Sequence, residues 1–458
     1  MRVLLVQAYL GRVERYGCVF PLGLCYIATA LAARGHQVRL LDMNLYDTPY
    51  AKLETVVREC TPNVVGISLR NIDTTDRLDP FYYYSTLRSI IASVKATDPH
   101  VRLMIGGAGF SMFARVIMQR HPELDYGVFL EGEETTPDLL EHLDSPEMVK
   151  GIYFRRDGAV HFTGHRPFPD VHALPAPRRN FAEVAKYREP RSMGVQAKRG
   201  CSLRCAYCSY PFLNGTTIRI RSPKAVVDEI EHLHTVFNLD EVIFVDNIFN
   251  IPEAHAKAIC REIIARDLKV RWSAWFDVGT LSEDLVRLAS QSGCYRICVS
   301  PDGASDASLR ALGKDFNETA IQRVIGIARM FPEIEFRFSL FCSPPGQNLS
   351  GVIKTVKLFV KTHILLRNGR CLVSWVRLLP NTVMYDTAIA EGVIRDTIDL
   401  LPPEEHGIGN LFYSCSRTGF YATPLFIGIA MVCSVGKRLM TLVRALRTCS
   451  NCVRRRTP

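Results

Sequence analysis

The sequence predicts an α/β protein: a doubly wound parallel sheet first, then a second βα series, then a small, mainly helical C-terminal segment. Three observations carry this. Short apolar runs of strand length alternate with amphipathic stretches through the first third of the chain. The same alternation resumes at Val195, after a proline-rich interruption. Composition, at 47% hydrophobic and 22% charged residues, is that of an ordinary globular chain with ample core. The 458 residues suggest two to three domains at roughly 150 residues each.

In chain order, Val3–Val6 reads as a strand. Gly23–Ala33 reads as a helix stopped by Arg34-Gly35, the glycine serving as C-cap. Further strands follow at Val38–Leu41, Val64–Leu69, Leu103–Ile105 and Tyr126–Leu130, with helices near Ala51–Cys60 and Thr86–Lys95. Ligands of such sheets lie at the carboxyl ends of the strands. That directs attention to Asp42-Met43-Asn44, Arg70–Asp73, Gly106–Gly109 and Glu131–Glu134.

Residues 144–190 read as a connector holding a hairpin (Gly151–Phe154, Val160–Phe162) and a stiff run, Leu174–Arg179. Strands of the second series fall at Glu241–Val245, Val270–Trp275, Tyr295–Val299, Ile334–Phe341 and Leu372–Leu378. Its helices include Pro223–Val236 and Glu253–Arg266. The expected division is 1–143, 144–190, 191–395 and 396–458.

Cys201, Cys205 and Cys208 form a C-x3-C-x2-C triplet. A four-iron, four-sulfur cluster takes one thiolate per iron, so three cysteines leave one iron open to bind a small molecule and pass it an electron. Zinc sites usually collect four ligands in two separated pairs, and no second pair lies near in sequence. With Tyr207 before the last cysteine, the segment resembles the signature of the radical S-adenosylmethionine superfamily.

That resemblance implies a 4Fe-4S cluster on Cys201, Cys205 and Cys208, with S-adenosylmethionine chelated at the open iron. It also implies a reducing partner such as flavodoxin or ferredoxin. The implied fold is a partial TIM-type (β/α)6 barrel with its chemistry at the carboxyl-terminal mouth. Arg219–Pro223, Phe244–Asn250 and Pro344-Pro345-Gly346 continue the resemblance. On it, Tyr207 packs near adenine, and Asp246 and Asn247 stand where the family contacts the methionine amine. Ser300 and Asp302 replace the family's usual Glu-Ser pair, the acid being a candidate for the ribose hydroxyls. Ser339 or Arg337 would meet the carboxylate. For Arg199 and Arg204, a charge beside the cluster and plain solvent exposure both stay open.

Pro21-Leu22-Gly23-Leu24, Gly106-Gly107 and Glu131-Gly132-Glu133 resemble, in order, the cobalamin-binding domain that precedes the barrel in one large class of that superfamily. Glycines suit close approach of a corrin and its nucleotide tail. Arg70, Gly106, Gly107, Glu131 and Gly132 are therefore candidates for cobalamin. A flavodoxin-like domain with another ligand, or none, is the alternative.

One departure matters. Asp42-Met43-Asn44-Leu45-Tyr46-Asp47 lacks the histidine and glycine of the cobalt-ligating D-x-H-x-x-G pattern. Arg70 follows the third strand, where a side chain reaches the corrin's lower face, but a guanidinium has no lone pair for cobalt. A salt bridge to Asp73 or a phosphate contact is the competing role.

The implied activity is C-methylation of an unactivated carbon, using methylcobalamin and a deoxyadenosyl radical; no catalytic side chain is singled out. A radical cyclase, oxidase or rearranging enzyme that moves no methyl is the alternative. A non-catalytic cobalamin sensor or carrier is a third, against which the complete cysteine triplet counts.

The expected substrate is a small or lipid-like molecule, from the apolar stretch Leu425–Leu446. The net charge of +10 is partly local to Lys437, Arg438, Arg444, Arg447 and Arg454–Arg456. That run is read as a solvated tail, with no nucleic-acid partner. Cys449 and Cys452 are read as chance thiols. The run Leu425–Val435 falls short of the roughly 20 residues of a membrane span. Fifteen irregularly spaced cysteines and a start that runs straight into a strand suggest a reducing, cytoplasmic setting.

Overall fold

The computed structural model describes residues 1–11, 19–188 and 192–429. Its first sheet holds β1 (Arg2–Gln7), β2 (Gln37–Asp42), β3 (Val64–Ser68), β4 (Arg102–Gly106) and β5 (Tyr126–Val128), all parallel. β6 (Ile152–Arg156) and β7 (Ala159–Phe162) extend it antiparallel, giving the order β2-β1-β3-β4-β5-β6-β7. The hairpin of the proline-rich connector is thus hydrogen-bonded to the edge of this sheet.

Alternation decides which side each residue serves. Leu4, Val6, Val65, Ile67, Leu103 and Ile105 pack into one core with the helices Pro49–Cys60 and Leu87–Thr97. Val3, Leu5, Val64 and Met104 pack on the other face with Leu22–Ala33. Both faces are covered, so the strands read as continuous apolar runs. Strand order reverses direction between β1 and β3, which opens a crevice at their carboxyl ends.

The second sheet begins with β8 (Gly194–Val195). β9 (Lys198–Arg199) and β10 (Arg219–Ile220) form a separate antiparallel ladder. Five more strands follow: β11 (Glu241–Phe244), β12 (Arg271–Phe276), β13 (Cys294–Asp302), β14 (Glu335–Phe341) and β15 (Gly369–Ser374). The order β8-β11-β12-β13-β14-β15 is parallel throughout. β8 and β15 are the two edges, so this is an open six-stranded sheet of βα units, as a partial barrel requires.

Val242, Phe244, Trp272, Phe276, Ile297, Phe336 and Phe338 pack against the surrounding helices. Residues of opposite parity, including Trp275, Cys298, Arg337 and Ser339, take the other face. Ser222-Pro223 has a local reason to exist: Ser222 Oγ caps the helix Pro223–Phe237 by accepting from Ala225 N, with Pro223 in its first turn.

β16 (Val376–Arg377) pairs with β17 (Phe412–Tyr413), and residues 419–429 are helical. The basic run from Lys437 and the Cys449–Cys452 pair lie outside the described residues, as does most of the apolar stretch from Leu425. Among the described residues no helix is long and apolar enough to cross a membrane.

Candidate active site

The carboxyl ends of the first sheet face the second domain across a cavity of about 400 Å3. Gln7, Ser68, Arg70, Gly106 and Glu131 line one side; Gln196, Arg199, Tyr210, Val245 and Asn247 line the other. The cysteine loop borders it directly, because the helix Tyr210–Asn214 that follows Cys208 supplies part of the wall.

The loop is shaped by backbone. Gly200 has φ +90°, and a Cβ there would stand 2.0 Å from Thr217 O. Cys201 N donates to Gly215 O at 3.0 Å, and Ala206 N donates to Leu312 O at 2.9 Å. Gly313, at φ +69°, brings its own backbone against Arg204 O. The three thiols are unpaired by disulfides. Burial raises all three pKa values, Cys208 to about 12. Among the described residues no three His, Cys, Asp or Glu side chains converge on one metal ion; a cluster instead takes each cysteine on a different iron.

The expected site residues separate into groups. Arg70 is exposed, lines the cavity and has no ion-pair partner among the described residues. Asp73 is buried and bound at 2.9 Å by Arg377 Nε, so the suggested Arg70–Asp73 bridge is corrected. Asn44 is fixed elsewhere: its Nδ2 donates to Ala8 O and Asp42 Oδ1, and its Oδ1 accepts from Leu10 N.

Gly106, Gly107, Glu131 and Gly132 all line the cavity. The Glu131 carboxylate is held by Arg199 and Arg219. Arg199 is therefore neither solvent-exposed nor free beside the cluster, whereas Arg204 is exposed.

Asp302 is also corrected. Its Oδ2 takes Lys314 Nζ and the Tyr207 hydroxyl, both at 2.5 Å, and the residue is 3% exposed. It is engaged within the protein rather than offered to ribose. Tyr207 packs edge-on against Phe341, and Ser300 contributes its carbonyl to Lys314. Lys314 went unnoticed in the sequence; the glycine before it, forced to positive φ, was the available signal. Arg337 is paired with Glu335 at 2.5 Å, leaving half-buried Ser339 on the same face of β14.

Asp246 and Asn247 are the polar groups left over. Asp246 Oδ1 accepts from Ala197 N at 2.7 Å and Lys198 N at 3.1 Å. Asp246 Oδ2 and Asn247 Nδ2 are buried without a partner, a costly arrangement unless something fills it. Burial pushes Asp246 up to about 6, opposed by Lys198, and pushes Lys198 down to about 8.

A raised carboxyl pKa penalises the ionised folded state, so the cost is absent below the ordinary value of 3.8, grows between there and about 6, and is complete above that. Near pH 9 Lys198 has also shed its proton and leaves a buried anion alone. Asp246→Asn is expected to be more stable than the unmodified protein there by on the order of 1–3 kcal/mol. At about pH 3, where the carboxyl is protonated in both the folded and unfolded chain, the two should agree within roughly 0.5 kcal/mol. Urea unfolding at the two pH values measures this; an Asn variant less stable near pH 9 would refute it.

Comparison with known proteins agrees with this arrangement. Residues 10–140 match the B12 binding domain and residues 195–359 the radical SAM superfamily. The cytidylyl-2-hydroxyethylphosphonate methyltransferase of Streptomyces wedmorensis is 28% identical, over 75% of this chain and 73% of its own. The anaerobic magnesium-protoporphyrin IX monomethyl ester cyclase of Cereibacter sphaeroides is 26% identical, over 73% of this chain and 56% of its own. A radical S-adenosylmethionine methyltransferase from Kitasatospora setae, solved with tryptophan substrate and an S-adenosylmethionine analogue, superposes with a TM-score of 0.74. It does so at 22% identity, over 87% of this chain and 79% of that one. With a B12 binding domain set across one cavity from a radical SAM domain, the chain belongs to the cobalamin-dependent radical S-adenosylmethionine enzymes.

Proposed function

We propose that the protein is a C-methyltransferase acting on an unactivated carbon of a small molecule. Residues 1–143 would hold cobalamin and residues 191–395 the cluster and S-adenosylmethionine. The observation that carries this reading is the shared cavity, where strand ends of the first domain face the cluster loop and β11 of the second. When bound, the cluster supplies an electron for cleaving S-adenosylmethionine and cobalamin supplies a methyl carrier.

The chain's own groups have distinct tasks. Cys201, Cys205 and Cys208 hold three irons. Asp246 Oδ2 and Asn247 Nδ2, both unsatisfied, suit the amine and carboxylate of an amino acid respectively. Gly106 leaves open the space a corrin would occupy. Arg70 stands beside it as a fixed cation that cannot ligate cobalt. Ser202 and Arg204, exposed on the cysteine loop, lie where an electron carrier such as flavodoxin or ferredoxin would approach. Such a cluster suits a reducing compartment such as the cytoplasm.

Similarity to a cyclase supports a second reading, in which no methyl moves. Anaerobically reconstituted protein, given a metabolite pool and S-adenosylmethionine deuterated in its methyl, should release deoxyadenosine and a product carrying the labelled methyl. Deoxyadenosine with an unlabelled product lighter by hydrogens would replace the methyltransferase with a cyclase or oxidase. Absence of deoxyadenosine from cluster-loaded protein would favour a sensor or carrier.

A further inference from the structure

Glu131 and Glu133 follow β5, and both carboxylates turn toward the second domain. Arg199 Nη1 meets Glu131 Oε2 at 2.8 Å, and Arg199 Nη2 meets Glu133 Oε1 at 2.5 Å. Arg219 Nη2 meets Glu131 Oε1 at 2.5 Å. All four side chains are largely buried, none more than 14% exposed. Gly132 between the two acids runs close to its neighbours: a Cβ would stand 2.9 Å from Ile27 Cδ1 and 3.1 Å from Val128 Cγ1.

The two arginines are direct partners across the β9–β10 ladder. Like charges placed opposite one another in a ladder repel, so this pair is stable only when docked on acids. The ladder is also the stem of the cysteine loop, because β9 ends at Arg199, two residues before Cys201, and β10 begins at Arg219. Tyr26 from the first domain lies 5.1 Å from the Arg199 guanidinium, and Phe168 4.8 Å from that of Arg219. Glu131, Glu133 and Arg199 line the shared cavity.

We infer that Glu131-Gly132-Glu133 with Arg199 and Arg219 is an ionic latch that sets the distance and orientation between the cysteine loop and the cobalamin-binding crevice. This rests on the reading above, that cluster and cobalamin occupy those two places. A buried ion pair adds little net stability, and its best-attested use is to specify one geometry. Here the guanidinium fork fits two carboxylates at once, which a lysine ammonium cannot copy. Arg199 and Arg219 are positioning residues: they act through the loop they hold.

The test uses full-length protein loaded with cluster and cobalamin. Cob(II)alamin and the reduced cluster are both paramagnetic, so pulsed electron paramagnetic resonance reads the coupling between them. Unmodified protein should give one defined coupling. Arg199→Lys, still carrying iron and cobalamin, should give a weaker or broadened coupling. Its methylated product per deoxyadenosine should fall by about ten- to a hundred-fold, the cost of a misplaced reacting group. Should Arg199→Lys not fold, Glu131→Gln preserves shape and the Arg199–Glu133 bond and should move both readouts in the same direction. A loaded variant with unchanged coupling and unchanged product ratio overturns the latch alone. Unmodified protein that takes up no cobalamin overturns the functional reading and the latch with it.

Discussion

Alanine at any one of Cys201, Cys205 and Cys208 is expected to abolish deoxyadenosine formation while leaving the fold in place. Reconstituted unmodified protein should carry about four irons per chain, and each variant well under half of that. The loop does not depend on the cluster for its shape. Cys201 N is tied to Gly215 O, Ala206 N to Leu312 O, and Met384 N to Ala206 O at 2.8 Å. Gly200 and Gly313 hold positive φ with backbone oxygens close by. Removing one sulfur deletes a ligand and leaves these backbone bonds in place, so far-UV circular dichroism should not change. Two results would sink the assignment: full iron and turnover in any single variant, or zinc in place of iron in the unmodified protein. Cys449→Ala and Cys452→Ala should leave the iron count as it is.

Local pattern carried the fold well, and relations between distant parts carried poorly. Apolar runs placed the central strands of both sheets, because a parallel strand buried on both faces has no other way to look; the edge strand expected at Leu372–Leu378 instead runs Gly369–Ser374, half exposed, and Val376–Arg377 belongs to the pairing with Phe412–Tyr413. The helix at Pro223 could be read from Ser222-Pro223, and the stop at Gly35 from its need for positive φ, +79° in the structure. Ion pairing was a different matter. Asp73 binds Arg377, a partner far along the chain, whereas the sequence offers the nearby Arg70.

In sequence Arg199 belongs beside the cluster because Cys201 follows it; its carboxylates sit at the end of β5, in another domain. Periodicity reports which face a residue takes, not what the opposing domain presents there. The same limit explains Asp302, whose partner Lys314 stands on the turn at Gly313 that packs against the cysteine loop. The motif residues were visible in sequence; which of them face a ligand and which face another side chain became visible only with both domains in place.

Gly106→Val is expected to lose most cobalamin binding at nearly unchanged stability, whereas Gly107→Ala should lose stability first. The sequence presents the two glycines as equivalent; their surroundings differ. A Cβ at Gly106 would meet nothing closer than 3.6 Å, from Val128 Cβ and O. Gly106 ends β4 and lines the cavity, and a β-branched residue suits a strand. A valine there is expected to narrow the space proposed for the corrin and to cost the fold within about 0.5 kcal/mol. Gly107 has φ +99°, and a Cβ would lie 2.6 Å from Leu69 O. Alanine there must relieve a backbone clash in a strained conformation, costing on the order of 1–3 kcal/mol. Hydroxocobalamin titration and thermal melts on both variants separate the roles. Unaltered cobalamin affinity in Gly106→Val would place the corrin elsewhere than at the end of β4. A large fall in melting temperature for Gly106→Val, with none for Gly107→Ala, would mean that the geometry around this turn has been misjudged.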